Sequence, residues 1–178
     1  MPSLKLKPSE GPVGADVTTL GAGFRPNVSY RIQLENDRLK PGTMSNRGTF
    51  VAVFKIPPAP YGEQDVIAVS QAAHQLAHAT FRVIPQITQV EPLEIAAGDT
   101  VTVSGTGLGS NELIQVYLND RPMELSTEVR TKPDGTFTIN FTATEDLVSM
   151  KPILIRVTGQ ETNASAQAEE ELDVALAS

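Results

Sequence analysis

The chain has 178 residues and no cysteine, and its 14 Lys and Arg against 21 Asp and Glu leave a net charge of −7. The absence of cysteine excludes disulfides and thiolate metal sites, and the acidic balance argues against nucleic-acid binding, which needs a basic surface. No apolar run approaches the roughly 20 residues of a membrane span, so we expect no membrane insertion.

The sequence repeats itself at a spacing of 84 residues. The repeated positions are Pro8, Gly14, Val17, Gly21, Gly23 and Phe24, which recur as Pro92, Gly98, Val101, Gly105, Gly107 and Leu108. Repetition at a fixed period of this length indicates that one small module has been duplicated. We therefore predict two domains, residues 1–84 and residues 85–178, each large enough to fold alone.

Alternation of apolar and polar residues predicts short strands along the first copy, at residues 30–34, 50–54 and 66–69. Phe50 and Phe54 lie four apart in the second of these and should face the core. A proline-rich segment follows at residues 57–60, and because proline cannot donate to a central ladder, this segment should cross between sheets or lie along an edge. Residues 71–79 fit at most a short helix.

The second copy shows the same order of elements. Residues 101–103 and 114–118 are predicted strands, and Pro133-Asp134-Gly135 predicts a turn before Phe137 and Phe141. Asn46-Arg47-Gly48 is the corresponding turn of the first copy. Residues 167–176 carry a second weak helical pattern.

About seven short strands per copy, separated by turns, are typical of an immunoglobulin-like sandwich. The fold class predicted is therefore all-β, with two tandem immunoglobulin-like β-sandwich domains. Because glycine permits a close backbone approach, Gly-x-Gly should bend a strand over the end of the sandwich while Phe24 or Leu108 plugs the core. Replacing Gly105 by Val should be costly.

These motifs resemble one known family. Gly14-Ala15-Asp16-Val17-Thr18, Gly21-Ala22-Gly23-Phe24 and Gly48-Thr49-Phe50 in the first copy, and Gly98-Asp99-Thr100-Val101, Gly105-Thr106-Gly107-Leu108 and Gly135-Thr136-Phe137 in the second, are similar to the IPT/TIG group of early-set immunoglobulin-like repeats. The resemblance covers essentially the whole chain. It implies two tandem copies of a repeat that is mostly non-catalytic and found in surface, adhesive or scaffold proteins.

Charge is distributed unequally between the halves. Residues 1–84 contain nine Lys and Arg against six Asp and Glu, a net of +3, whereas residues 85–178 contain five against fifteen, a net of −10. Complementary potentials of this kind assist encounter and register between copies of a chain. Solvation of an acidic β-protein surface is the alternative interpretation.

Both copies carry the same tripeptide after the same predicted strand. The candidate binding residues are Asn36, Asp37, Arg38, Asn119, Asp120 and Arg121. Asn and Asp suit the left-handed conformations of a tight hairpin, which explains them structurally. Exposed loops on a rigid scaffold also concentrate binding residues, and an Arg at each tip can contact a carboxylate or a sugar.

No catalytic site, metal site or cofactor is predicted. His74 and His78, in an extended segment, would lie about 13 Å apart and could not share a metal. With only these two histidines no Ser-His-Asp arrangement can be drawn, and each Gly-x-Gly lacks the third glycine of a dinucleotide site.

The function expected from the sequence is a non-enzymatic structural or adhesive module of a surface or extracellular assembly. Its partners would be proteins, either copies of itself or a larger surface or virion assembly, with glycans as a further class. A virion accessory protein of the capsid decoration or tail type is one alternative. A carbohydrate-binding module is the other, although three Tyr and no Trp supply a poor aromatic platform.

Overall fold

The computed structural model describes residues 1–35, 37–123, 125, 127–148, 153–168 and 173–174. It divides into two compact units, the first formed by Met1–Pro57 and Gly62–Val83 and the second by Pro58–Tyr61 and Ile84–Ser178. Within the described ranges, no helix has the length and apolar character needed to cross a membrane.

The first unit is a sandwich of two sheets. Its strands are β1 (Ser3–Lys7), β2 (Glu10–Gly11), β3 (Asp16–Ala22), β4 (Ser29–Leu34), β5 (Asp37–Thr43), β6 (Phe50–Lys55), β7 (Gly62–Ser70) and β8 (Gln75–Val83). One sheet has the order β1-β3-β6 and the other the order β2-β8-β7-β4-β5. The short β2 runs parallel to β8, whereas β7 and β8 form a long antiparallel hairpin.

The second unit repeats this plan. Its strands are β9 (Gln86–Glu91), β10 (Glu94–Ile95), β11 (Thr100–Thr106), β12 (Ile114–Leu118), β13 (Arg121–Met123), β14 (Phe137–Thr142), β15 (Ile155–Gly159), β16 (Ser165–Gln167) and β17 (Asp173–Val174), with one helical turn, α1 (Glu145–Val148), after β14. The sheet orders are β14-β11-β9 and β13-β12-β15-β16, with β10 and β17 paired separately.

Matching elements of the two units occupy matching places. β3 and β11 are 84 positions apart, and each is the central strand of a three-stranded sheet. The first strand of each unit ends before a cis proline, at Lys7-Pro8 and Glu91-Pro92, and a short parallel pairing follows in both, β2 with β8 and β10 with β17. Two sheets joined in this order form an immunoglobulin-like sandwich, so the all-β tandem fold predicted from the sequence is confirmed.

Each core is built from the inward-facing positions of the alternating strands. In the first unit the fully buried side chains include Val17, Ile32, Val66, Phe81 and Val83, and in the second Ile95, Val101, Val103, Leu108, Ile139, Ile153, Ile155 and Val157. The two phenylalanine pairs predicted to face inward do so, since Phe50, Phe54, Phe137 and Phe141 are all buried. The proline-rich segment joins β6 to β7, which belong to different sheets, and therefore crosses between sheets as predicted.

Helical content differs in detail from the expectation. Residues 71–79 form the turn between β7 and β8 and the first half of β8, because Ser70 pairs with Gln75 across a tight reversal. The only helical turn among the described residues is α1, which the sequence did not predict and which has Glu145 and Asp146 in its first turn. The pattern at residues 167–176 falls partly outside the described residues.

A missing side chain in the central strand of each unit makes room for a phenyl ring. A Cβ at Gly21 would overlap the ring of Phe50, and a Cβ at Gly105 would overlap the ring of Phe137 and the carbonyl oxygen of Gln86. Gly23 and Gly107, two residues later, have φ of +79° and +82°, in the region that side chains avoid. The first glycine of each Gly-x-Gly is thus required for steric reasons. The second is required for both conformational and steric reasons, because a Cβ at Gly23 or Gly107 would also overlap the backbone of Met1 or Ile84.

Gly105→Ala should therefore destabilise the second unit by about 3 kcal/mol, the upper range for overpacking a core. Gly98→Ala is the matched control, because Gly98 has φ of +94° but a Cβ added there would meet no atom within 4 Å. That variant should lose only about 1 kcal/mol of conformational origin. Urea unfolding of both variants would measure the difference, and equal losses would contradict the steric role of Gly105.

The turn before β14 forms as Pro133-Asp134-Gly135 predicts. The amide of Gly135 donates to the carbonyl of Lys132 at 2.9 Å, and the amide of Lys132 donates to the carbonyl of Thr136 at 2.9 Å. The hydroxyl and the amide of Thr136 both donate to Oδ1 of Asp134, at 2.7 and 3.0 Å. These two hydrogen bonds, the hydroxyl foremost, hold the pKa of Asp134 below its ordinary value of 3.8.

A depressed carboxylate pKa stabilises the folded state at neutral pH and loses that effect as the pH falls through the folded value. The native protein should therefore be more stable than the Asp134→Asn variant, with the whole difference in free energy of unfolding present above pH 3.8. This difference should vanish at more acidic pH. Asn keeps the acceptor oxygen, so the variant isolates the charge. Thermal unfolding across acidic pH checks this, and a difference that does not depend on pH would refute it.

Candidate functional site

The tripeptide of the second unit forms the tip of the hairpin between β12 and β13. Leu118 pairs with Arg121, so Asn119 and Asp120 are the two turn residues, with φ of +50° and +66°. Two successive positive φ values define a type I′ hairpin, which Asn and Asp favour. Asn119 also attaches this hairpin to the neighbouring strand, since its amide donates to the carbonyl of Leu154 at 3.0 Å and its Oδ1 accepts from the amide of Leu154 at 2.8 Å.

The other two residues of this tripeptide lie at the surface. Asp120 accepts a 2.9 Å hydrogen bond from Arg156 and remains 84% exposed. The guanidinium of Arg156 lies 4.5 Å from the centre of the Tyr117 ring, which it covers. Arg121 is exposed. The charge of Asp120 is therefore partly compensated within the unit, and the Tyr117 face is covered.

The tripeptide of the first unit occupies a different position in its hairpin. Leu34 pairs with Asp37, and Glu35 lies in the turn after Leu34; Asn36 lies outside the described residues. Glu35, with φ of +50°, takes the place of Asn119, because its amide donates to the carbonyl of Asp65 at 3.2 Å and its Oε1 accepts from the amide of Asp65 at 3.3 Å. The two tripeptides are thus offset by one residue, and Asp37 and Arg38 already belong to β5.

This offset places Arg38 on the outer face of the five-stranded sheet, beside a second arginine. Arg38 pairs with Gln33 across the β4–β5 ladder, and Arg31 lies two residues before Gln33 on the same strand. The Nε of Arg31 donates to Oε1 of Gln33 at 3.3 Å. Because residues two apart on a strand share a face, both guanidinium groups are presented on the same side of the sheet.

A groove of about 480 Å³ is lined by residues of β4 and β5 and of the β7–β8 hairpin. Its lining residues are Ser29, Tyr30, Arg31, Arg38, Leu39, Lys40, Pro41, Gly42, Val69 and Gln71. Three of them are cations and none is a carboxylate. We call this the basic groove.

The residue before Arg31 is a buried tyrosine, which faces the core on the opposite side of the sheet. Tyr30 stacks on Phe50 with ring centroids 4.1 Å apart and an interplanar angle of 19°. Its hydroxyl end lies over Gly42, where a Cβ would overlap the ring. Burial raises the pKa of Tyr30 above its ordinary value of 10.0, so the hydroxyl is neutral at physiological pH.

One cation of the groove also protects a sheet edge. Nζ of Lys40 donates at 3.0 Å to the carbonyl of Val53 on the edge strand β6. Val51 and Val53 of that strand are 68% and 46% exposed. A lysine at an exposed apolar edge disfavours strand pairing with other chains, and its charge still contributes to the field of the groove.

The second unit has a groove of about 410 Å³ in the equivalent place, with different chemistry. Its lining residues are Leu113, Ile114, Gln115, Met123, Leu125, Thr127, Glu128, Val129 and Gln160. Gln115 stands 84 positions after Arg31, and its Nε2 donates to the carbonyl of Met123 at 2.9 Å. The arginine pair is therefore particular to the first unit.

A buried carboxylate that the sequence did not reveal organises the loops of the second unit. Glu112 is fully buried and accepts hydrogen bonds from the amides of Gly109 at 2.8 Å and Thr162 at 2.9 Å, and from the hydroxyl of Thr162 at 2.9 Å. It occupies the space that a Cβ of Gly159 would need. Ionic groups are seldom buried without such partners, so this side chain joins the loop after β11 to the loop after β15.

Glu112→Ala should lower the free energy of unfolding of the second unit by about 3 kcal/mol, since it leaves several buried donors without an acceptor. Glu112→Gln keeps one acceptor oxygen and should lose less. Amide hydrogen exchange at Gly109 and Thr162 would report the effect, and unchanged protection in the alanine variant would show that the carboxylate is dispensable.

No group of three His, Cys, Asp or Glu side chains able to hold a metal ion occurs among the described residues. His74 lies in the turn before β8 with φ of +52°. His78 lies within β8, and its Nδ1 is 2.9 Å from Oδ2 of Asp65.

No protein-family model and no curated protein matches the chain. Among solved structures, SGBP-B from a xyloglucan utilization locus of Bacteroides uniformis matches at 17% identity and a TM-score of 0.38, over 97% of this chain and 49% of that one. The Yersinia pseudotuberculosis adhesin InvE matches at 10% identity and a TM-score of 0.39, over 97% and 58%. Murine CEACAM1b matches at 12% identity and a TM-score of 0.35, over 98% and 100%. The fold of this chain is therefore assigned from its strand pairing and not from these low TM-scores.

Proposed function

We propose that the chain is a non-catalytic immunoglobulin-like tandem that acts through protein–protein contacts, as a structural or adhesive element of a surface or extracellular assembly. The contact site is the basic groove of the first unit, and the partner is another copy of the chain. We further propose that residues 1–84 and 85–178 are two copies of an IPT/TIG-type repeat, on the motifs that they share.

The observation that carries this proposal is the arginine pair in a groove without a carboxylate. Arg31 and Arg38 share the outer face of the sheet, whereas Lys40 pairs with the inward-facing Ile32 at the sheet edge, and none of the lining residues is an acid. Arginine is well suited to this role, because its planar guanidinium forms two parallel hydrogen bonds to a carboxylate.

The second unit supplies the complementary charge. Residues 85–178 carry a net charge of −10, against +3 for residues 1–84. Opposite potentials on two units of one chain speed the encounter of copies and select a head-to-tail orientation. A head-to-tail contact is heterologous, so it builds open chains unless its rotation closes a ring.

Sedimentation velocity of the purified chain over a range of concentrations tests the proposal. The native protein should associate at low ionic strength and dissociate as salt screens the contact. Arg31→Glu with Arg38→Glu should weaken association about tenfold or more, which corresponds to two lost ion pairs.

Arg25→Glu with Arg47→Glu is the matched control for this experiment. Both residues are exposed and lie outside the groove, and the double change alters the net charge by the same amount. The control should associate almost as the native protein does. Association that is equal in the two double variants, or a native chain that stays monomeric at low salt, would remove the proposed function.

A further inference from the structure

We infer that the partner segment of this contact is the connection Glu91-Pro92-Leu93-Glu94 of a second copy of the chain, and that Leu93 docks on apolar side chains beside the arginine pair. We call residues 91–94 the acidic corner. The inference rests on the proposed function, because it extends the basic groove across the same sheet and names the segment that binds there.

The outer face of the five-stranded sheet carries apolar side chains next to the arginines. Val69 pairs with Arg31 on one side and with Leu76 on the other, so these three residues form one row across β4, β7 and β8. In the adjacent row Ile67 pairs with Gln33. Because residues opposite each other in a ladder share a face, these side chains continue the surface of the basic groove. We call Ile67, Val69 and Leu76 the apolar strip.

The apolar strip is exposed to solvent. Leu76 is 53% exposed, and Ile67 and Val69 are half-buried. Asp65 lies two residues before Ile67, away from the row of Arg31, and its Oδ2 is 2.9 Å from Nδ1 of His78. A partner that covers the strip would remove apolar area from water, which is the main favourable contribution to protein association.

The acidic corner offers the complementary chemistry within four residues. Leu93 is 41% exposed, and among the side chains that the structure describes it is the one large apolar side chain of the second unit that is exposed. Glu91 and Glu94 flank it, and both are exposed. Neither carboxylate forms an ion pair with a Lys, Arg or His of the described ranges. The corner thus matches an apolar strip bordered by cations.

Folded strands hold the corner at both ends. Glu91 pairs with Thr102 at the end of β9, and Ile95, which follows Glu94 in β10, is fully buried. A short connection fixed in this way has little conformational entropy to lose on binding. The first unit has Lys7 and Ser9 at the positions 84 residues before Glu91 and Leu93. The corner is therefore particular to the second unit, as a head-to-tail contact requires.

The distances on the two sides agree. Leu76 and Arg31 are two strands apart, which places their side-chain origins roughly 10 Å from each other. Leu93 and Glu91 are two residues apart, a span of at most roughly 7 Å. With Leu93 over the strip, the lengths of the glutamate and arginine side chains are sufficient to join Glu91 to Arg31.

A second apolar patch of the first unit fits the corner less well. Val51 and Val53 of the edge strand β6 are exposed, but the carbonyl of Val53 accepts from Nζ of Lys40, and Nζ of Lys55 is 3.0 Å from Oδ1 of Asp16. No arginine of the proposed contact shares this sheet. The patch therefore provides matched controls.

Sedimentation velocity of serine variants tests the apolar part of the contact. Leu76→Ser and Leu93→Ser should each weaken association about tenfold, because each removes a leucine from the buried contact. The salt dependence should persist, since neither change alters a charge. Val51→Ser should associate as the native protein does. Leucine variants that associate as well as the Val51→Ser variant would overturn the inference.

The charged part is tested by a pair of double variants in the same experiment. Glu91→Gln with Glu94→Gln should weaken association about tenfold. Glu145→Gln with Glu161→Gln removes the same charge from other exposed positions and should leave association nearly unchanged. Equal weakening in both would show that total acidity matters and not the corner, and would overturn the inference.

The absence of cysteine from the sequence permits a positional test by disulfide formation. Copies with Leu76→Cys, mixed with mass-tagged copies with Leu93→Cys and oxidised in air, should form predominantly the mixed dimer. Copies with Val51→Cys, mixed in the same way with the Leu93→Cys copies, should give a random mixture of dimers. A random mixture from the first pair would contradict the inference.

These outcomes separate the inference from the proposed function. If Arg31→Glu with Arg38→Glu abolishes association while the leucine and glutamate variants have no effect, the groove binds another segment, and the inference alone is overturned. If the leucine variants weaken association and the arginine variant does not, the proposed role of the arginines fails and the apolar contact is supported. A native chain that stays monomeric would overturn both.

Discussion

The close approach of a phenyl ring to a backbone without a side chain determines the shape of each unit. Phe50 pairs with Gly21 and Phe137 pairs with Gly105, and each phenyl ring lies over its glycine in space that any Cβ would occupy. The turns before β6 and β14 contact the backbone of Phe24 and Leu108, which are both buried. Closure of one end of each sandwich depends on this contact, because a close-packed core has no room for a further side-chain atom there.

On this common framework the two units differ in their surfaces. The β4–β5 ladder of the first unit carries Arg31 and Arg38 on its outer face. In the second unit the groove at the β12–β13 ladder is lined by amide and apolar side chains such as Gln115 and Met123. The loops of the second unit are held by the buried Glu112, and Val28 stands at the corresponding position of the first. The two units thus combine similar cores with exposed faces of different charge, and the head-to-tail contact that we propose needs such a difference.

The candidate site illustrates the limit of motif matching. Aligning identical letters placed Asn36 and Asn119 in the same role, yet the ladder puts Glu35 at the position of Asn119. Because the turn residues are selected for positive φ and for reaching the neighbouring strand, Glu and Asn can share that role without sequence identity. Arg38 gained its importance from its partner across the ladder, Gln33, and not from the tripeptide that drew attention to it.

The sequence alone determined the strands, the turns, the internal repeat and the inward-facing phenylalanines, because each follows from local periodicity or from the special conformations of glycine and proline. Only the tertiary structure decided which charges share a face. Cross-strand register depends on contacts between residues far apart in sequence, and a shift of one residue sends a side chain to the opposite face of the sheet. For the same reason the burial of Glu112 was invisible in the sequence, since most of its hydrogen-bond donors come from a loop about fifty residues away.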